Sequence, residues 1–103
     1  MDRTVMKPCK RLEIVIEKPL ARLLARSLDE AGARGYTMID HAAGRGDRGE
    51  RRGDELMGTG SNCVFIVACD TEEEAGAIVE AVRPHLSRSG GMCLVSDATW
   101  VKH

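Results

Sequence analysis

Gly44-Arg45-Gly46-Asp47-Arg48 is the stretch of this chain best equipped to do chemistry. Glycines that tolerate unusual φ let successive backbone N–H groups converge on one anion. Arginine adds a planar fork that meets two oxygens of a phosphate or carbonate at once. With Arg45 and Arg48 bracketing Gly46 and Asp47, the spacing suits an anion cradle. A flexible, charge-balanced surface loop would use the same letters. These five residues belong to a longer segment, 42–60, with six glycines, four arginines and four acids. It has neither helical period nor strand alternation. A stretch this long without pattern, inside a short and otherwise well-patterned chain, points to a loop with a task.

Other residues could serve a ligand. The Thr37 hydroxyl both donates and accepts, which suits an adenine edge, although a β-branched residue at a strand start needs no such role. Ile16 and Val67 could wall a base, and core positions look the same. Arg88 with Gly90 and Gly91 could close over phosphates; a helix C-cap and turn predicts the same letters. Asp40 and His41, adjacent in one strand, should point to opposite faces, with no evident serine or cysteine partner. No catalytic constellation emerges. Cys9, Cys63, Cys69 and Cys93 form no CxxC pair, and His41, His85 and His103 are scattered, so no zinc spacing is present. The thiols read as small buried hydrophobes, Cys63 and Cys69 on one face of a strand. RGD occurs twice, at Arg45–Asp47 and Arg52–Asp54, but an adhesion role needs an extracellular protein, which nothing here supports.

The elements that must carry these residues are legible. Residues 9–17 alternate, with Leu12, Ile14 and Ile16 on one face, as in a half-buried strand. Pro19 opens a helix through Leu20, Leu23, Leu24, Leu28 and Ala31, closed by Gly32 and Gly35. Residues 36–42 form a second strand. After the loop, residues 62–69 are nearly all apolar, which suits a central strand covered on both faces. Thr71 with Glu74 makes a capping box, and Ala75, Ile78, Val79 and Val82 form the stripe of a second helix. Pro84 should end or bend that helix, SRSGG should be a turn, and residues 92–101 a last strand. The order β-α-β-loop-β-α-β predicts an α+β, ferredoxin-like antiparallel sheet with two helices on one face.

Composition agrees with one domain of 103 residues and an aliphatic core, since aromatics are only 3%. A net charge of −1 argues against a nucleic-acid binder. No segment reaches the ~18 apolar residues of a membrane span, and the charged start is unlike a signal peptide. A soluble, cytoplasmic protein is expected, with residues 1–8 a flexible N-terminus, 9–103 one domain, and the long loop near 43–61.

Several of these residues resemble those of PII signalling proteins. Glu17-Lys18-Pro19 is similar to their KP junction, and Gly32-Ala33-Arg34-Gly35-Tyr36-Thr37 to their GxxG-aromatic/Met-Thr turn. The glycine–arginine loop lies where they carry the long T-loop, and Ser89-Gly90-Gly91 where they carry the B-loop. The closer resemblance is to PII-like regulators linked to bicarbonate transport and carboxysomes. It covers the first third almost throughout, and Gly44-Arg45-Gly46-Asp47-Arg48 resembles their G-[KR]-G-x-R segment.

That resemblance implies a non-enzymatic homotrimer binding adenine nucleotides in clefts between subunits. Ile16, Thr37, Gly44 to Arg48, Val67, Arg88, Gly90, Gly91 and Met92 would meet the nucleotide, and Gly46, Asp47 and Arg48 the bicarbonate. It implies no cofactor or metal, only regulatory ligands. A T-loop responsive to them would face a protein partner such as a bicarbonate transporter or a carboxysome component. Departures from the PII pattern bear on the ligand. Met92 replaces a phosphate-binding lysine, and Lys102 and His103 are the only basic residues where C-terminal arginines are usual. The modifiable tyrosine and the glutamine of the T-loop are missing. Fewer phosphate contacts fit ADP or AMP better than ATP, and 2-oxoglutarate loses its usual partners. With no cysteine-bearing C-terminal extension, a redox switch of that kind is not expected. Two alternatives are slow nucleotide hydrolysis, with Asp47 or Glu50 on a metal, and a metal-binding trimer using His41 or cysteines.

Overall fold

The structure is a computed structural model that describes residues 5–46, 49–51 and 61–103; for 46 and 49–51 the backbone alone is described. Strand β1 runs Met6–Glu17. A 3-10 turn, Lys18–Leu20, with Pro19 in its first positions leads into helix α1, Ala21–Glu30. Strand β2 is Thr37–Ala42, followed by two short strands, β3 (Gly44–Gly46) and β4 (Gly49–Arg51). Strand β5 is Asn62–Cys69, helix α2 Glu72–Ser89 and strand β6 Met92–Val101. The main sheet is antiparallel in the order β2-β5-β1-β6. This is the expected ferredoxin-like arrangement.

Alternation along the two central strands builds the core. Leu12, Ile14 and Ile16 of β1 lie opposite Val67, Phe65 and Cys63 of β5, and all six are buried. Leu24 and Leu28 of α1 and Ala75, Ile78 and Val82 of α2 close over them. Tyr36 leans on Phe65, ring centroids 5.3 Å apart at 57°. Leu23, expected in the stripe of α1, remains 39% exposed instead.

Four expectations change. Met6, Lys7 and Pro8, read as a flexible N-terminus, pair with Val101, Trp100 and Thr99 of β6. Helix α2 does not end at Pro84 but continues to Ser89, because Val82 and Leu86 on either side of the proline both pack on the core. Only Gly90 and Gly91 are then left of the SRSGG turn. Strand β5 is covered by helices on one face alone; Val64, Ile66 and Ala68 on the other are only partly buried. On that open face, Val15, Val64, Ile66, Ile39, Met92 and Leu94 gather around Glu13, which pairs with Arg11 at 2.6 Å. The capping box does form, with a variation. Thr71 Oγ1 accepts from the Glu74 N–H at 3.1 Å, while Glu74 Oε2 accepts from the N–H of Asp70 at 3.3 Å.

Candidate functional site

The long segment leaves the sheet at an irregular step. β2 pairs with β5 as far as Ile39↔Val64 and resumes only at Ala42↔Asn62. In between, His41 stands at φ +60°. For a residue with a Cβ this left-handed conformation costs about 1–2 kcal/mol.

Asp40 sits at the centre of the step. Its Oδ1 accepts the His41 backbone N–H at 2.7 Å. Its Oδ2 lies 3.1 Å from Lys18 Nζ and 3.7 Å from His41 Nε2. The Cys63 thiol donates to Oδ1 at 3.4 Å, so the expectation that Asp40 lacks a cysteine neighbour does not hold. The pairing was invisible in sequence because the two residues are 23 positions apart and meet only through the β2–β5 register. The His41 N–H and the Lys18 ammonium hold the Asp40 carboxyl below its ordinary value. Burial, then the Asp40 carboxylate, pushes the Cys63 thiol up to about 11. Cys63 therefore stays a protonated donor rather than a nucleophile. Burial likewise raises Cys69 and Cys93.

The backbone N–H of Lys18 donates to the Ser61 carbonyl at 3.1 Å. Asp40 and Ser61, one on each side of segment 43–60, are thus both tied to Lys18 in the turn that follows β1. Just beyond the step, β3 and β4 pair as Gly44↔Arg51, Arg45↔Glu50 and Gly46↔Gly49. The first three residues of the sequence-predicted anion cradle are therefore extended and paired. Asp47 and Arg48 lie outside the described residues.

The second glycine pair is at the same end of the sheet. Gly90 caps α2 at φ +74°, its N–H donating to the Leu86 carbonyl at 2.9 Å. A Cβ on Gly91 would lie 2.3 Å from the Val15 carbonyl oxygen, so close packing on β1 requires glycine there. Arg88 is exposed on the last turn of α2, and Met92, 50% exposed, faces outward beside Val15.

Residues 44–46 and 90–92 thus share one end of the sheet, where β1 ends and β5 and β6 begin. Thr37 is exposed at the start of β2, opposite Ile66 and further along the sheet. Ile16 and Val67 are buried in the helix-covered core, so in the single chain their side chains serve packing. Among the described candidates, Thr37 lies apart from the end that carries residues 44–46 and 90–92, and Ile16 and Val67 are in the core.

At the opposite end, a cleft of about 370 Å³ is lined by Lys7, Arg34, Asp70, Trp100, Val101, Lys102 and His103. Arg34 pairs there with Asp70 at 2.8 Å and Glu74 at 3.7 Å. Sequence reasoning missed this grouping, which only the strand ends bring together. Among the described residues no three His, Cys, Asp or Glu side chains gather as metal ligands, and no helix is long and apolar enough to cross a membrane.

Comparison with known proteins gives the same outline. Residues 9–103 match the family described as nitrogen regulatory protein P-II. Among solved structures, the chain is similar to CPII, a nitrogen regulatory PII-like protein of Thiomonas intermedia K12. In its complex with ADP and bicarbonate the TM-score is 0.80 at 29% identity, covering 94% of this chain and 92% of that one. The CPII complex with ADP, AMP and bicarbonate gives 0.76 at 28% identity, covering 91% and 96%. A PII-like signaling protein of Thermus thermophilus gives 0.78 at 25% identity, covering 98% and 94%. Fold, matched span and these likenesses agree: the chain belongs to the nitrogen regulatory protein P-II family.

Proposed function

We propose that this chain is a non-enzymatic PII-like sensor of ADP or AMP together with bicarbonate. The observation that carries this reading is the likeness to CPII, solved with ADP and bicarbonate, across 94% of the chain. Copies associate as a homotrimer through the open face of the sheet. A largely apolar surface of Val15, Ile39, Val64, Ile66, Met92 and Leu94, with the Arg11–Glu13 pair within it, supports that association on a chain this small. Nucleotide then lies between copies. Gly44, Arg45 and Gly46, with Asp47 and Arg48, contribute the loop side, and Arg88, Gly90, Gly91 and Met92 the glycine turn. Thr37 meets the base, with Ile16 and Val67 behind it. Bicarbonate lies against Gly46, Asp47 and Arg48. Ligand occupancy shifts the long loop between states that differ in which partner they accept. The partner belongs to inorganic carbon assimilation, a bicarbonate transporter or a carboxysome component in the cytoplasm.

A thermal-shift panel of AMP, ADP, ATP and cAMP, each with and without bicarbonate, tests this. Whatever binds only the folded state raises the melting temperature, by about 2.7 kcal/mol of stability at a hundredfold excess over Kd. ADP or AMP should stabilise, bicarbonate should add to the shift, and Arg48→Ala should reduce it. No shift with any nucleotide, backed by silent titration calorimetry, would end this reading.

A further inference from the structure

We propose that Asp40 is the positioning residue for the β3–β4 hairpin, and that it acts by holding His41 in its left-handed conformation. Between the flanking pairs Ile39↔Val64 and Ala42↔Asn62, β2 advances three residues and β5 two, so β2 carries one extra residue. An extra residue of this kind bends its strand and re-aims the chain beyond it. Strand β3 begins there, directly after Ala43.

The step is built around one carboxylate. Asp40 accepts the N–H of the left-handed residue itself, at 2.7 Å. It is anchored from outside by Lys18 at 3.1 Å and by the Cys63 thiol at 3.4 Å. Lys18 belongs to the turn after β1 and Cys63 to β5 of the main sheet. Asp40 thereby transmits the position of the sheet to the backbone of residue 41. Histidine, with its Cβ, adopts this conformation only at a cost, whereas glycine adopts it freely. Deleting the carboxylate should therefore loosen the hairpin, and a glycine at 41 should make the carboxylate dispensable. For its ligand consequence the proposal rests on the nucleotide reading above; for the hairpin it stands alone.

The experiment is amide hydrogen exchange on the ligand-free chain, read at residues 44–46 and 49–51 against those of β1 and β5. Losing a hydrogen bond to a charged acceptor in Asp40→Ala should speed exchange in the hairpin about tenfold or more. Exchange in β1 and β5 should not change. Asp40→Asn keeps an acceptor and should stay within about threefold of wild type, while Lys18→Met spares the His41 bond but removes one anchor and should fall between Asp40→Asn and Asp40→Ala. In a His41→Gly background the Asp40→Ala effect should shrink to about threefold or less. Unchanged hairpin exchange in Asp40→Ala overturns the proposal. So does an equal effect in both backgrounds, or loosening that spreads through β1 and β5. An Asp40→Ala chain that unfolds altogether counts against it too, since the role would then be global stability. A second arm titrates ADP with bicarbonate, where Asp40→Ala should weaken binding about tenfold. If the wild-type chain itself binds no ADP, the nucleotide reading fails while the exchange data still decide Asp40.

Discussion

At Gly91 the chain has no room for a side chain, because an added Cβ would meet the Val15 carbonyl at 2.3 Å. Gly91→Ala must push β1 and β6 apart, costing about 1–3 kcal/mol as an overpacked site. Gly90 differs: its constraint is the left-handed φ of +74° at the end of α2. Gly90→Ala should cost about 1–2 kcal/mol through backbone strain alone. Urea titration with and without ADP separates stability from binding at both positions. Cys63 makes a pH prediction. Its thiol is held up to about 11 in the fold, against 9.0 ordinarily. The folded chain thus retains a proton that the unfolded chain releases. This contribution to stability is complete below pH 9 and disappears as pH rises from 9 through 11. Melting temperature should fall across that window, and less steeply in Cys63→Ala. Asp40 acts oppositely: its lowered carboxyl supports the fold at neutral pH and loses that support in acid.

Among the elements, α2 tolerates a proline that local rules place near its end. Pro84 lacks the N–H that would bond to Glu80, a defect of about 3 kcal/mol in a helix interior, yet packing of Val82 and Leu86 carries the helix through to Ser89. Pro84→Ala should stabilise the chain by about 1–2 kcal/mol, the helix gain being reduced by the freer unfolded chain; chemical denaturation reads it directly. The same contrast explains what was legible beforehand. Alternation exposed β1, Thr71 and Glu74 announced α2, and the order of elements gave the ferredoxin-like sheet, because those signals are local and periodic. Helix continuation through Pro84 depends on contacts with the sheet, which no window of sequence contains. Glycines 44, 46, 90 and 91 stood out as candidates by type alone. The meeting of Lys18, Asp40 and Cys63 did not, since it is a product of register. Nor did the extra residue in β2, whose letters, IDHA, look like ordinary strand.

For the whole molecule, the open sheet face is the feature that a single chain leaves unfinished. Ile39, Met92 and Leu94 are each about half exposed beside the partly buried Val64 and Ile66. If copies associate there, Val64→Asp places an unpaired charge in the interface, costing about 3 kcal/mol or more. Sedimentation equilibrium should then find the variant as monomer at concentrations where the wild type is assembled. A variant that sediments like the wild type would move the association surface elsewhere.

Trp100 lies near the end of β6, 43% exposed, and it is the only tryptophan in the chain. An indole open to water emits at longer wavelength than one enclosed by protein. The native sequence therefore carries its own optical probe, at the end of the sheet opposite the start of β3. A blue shift on raising protein concentration would report that neighbouring copies cover this end, with no dye attached and no residue replaced.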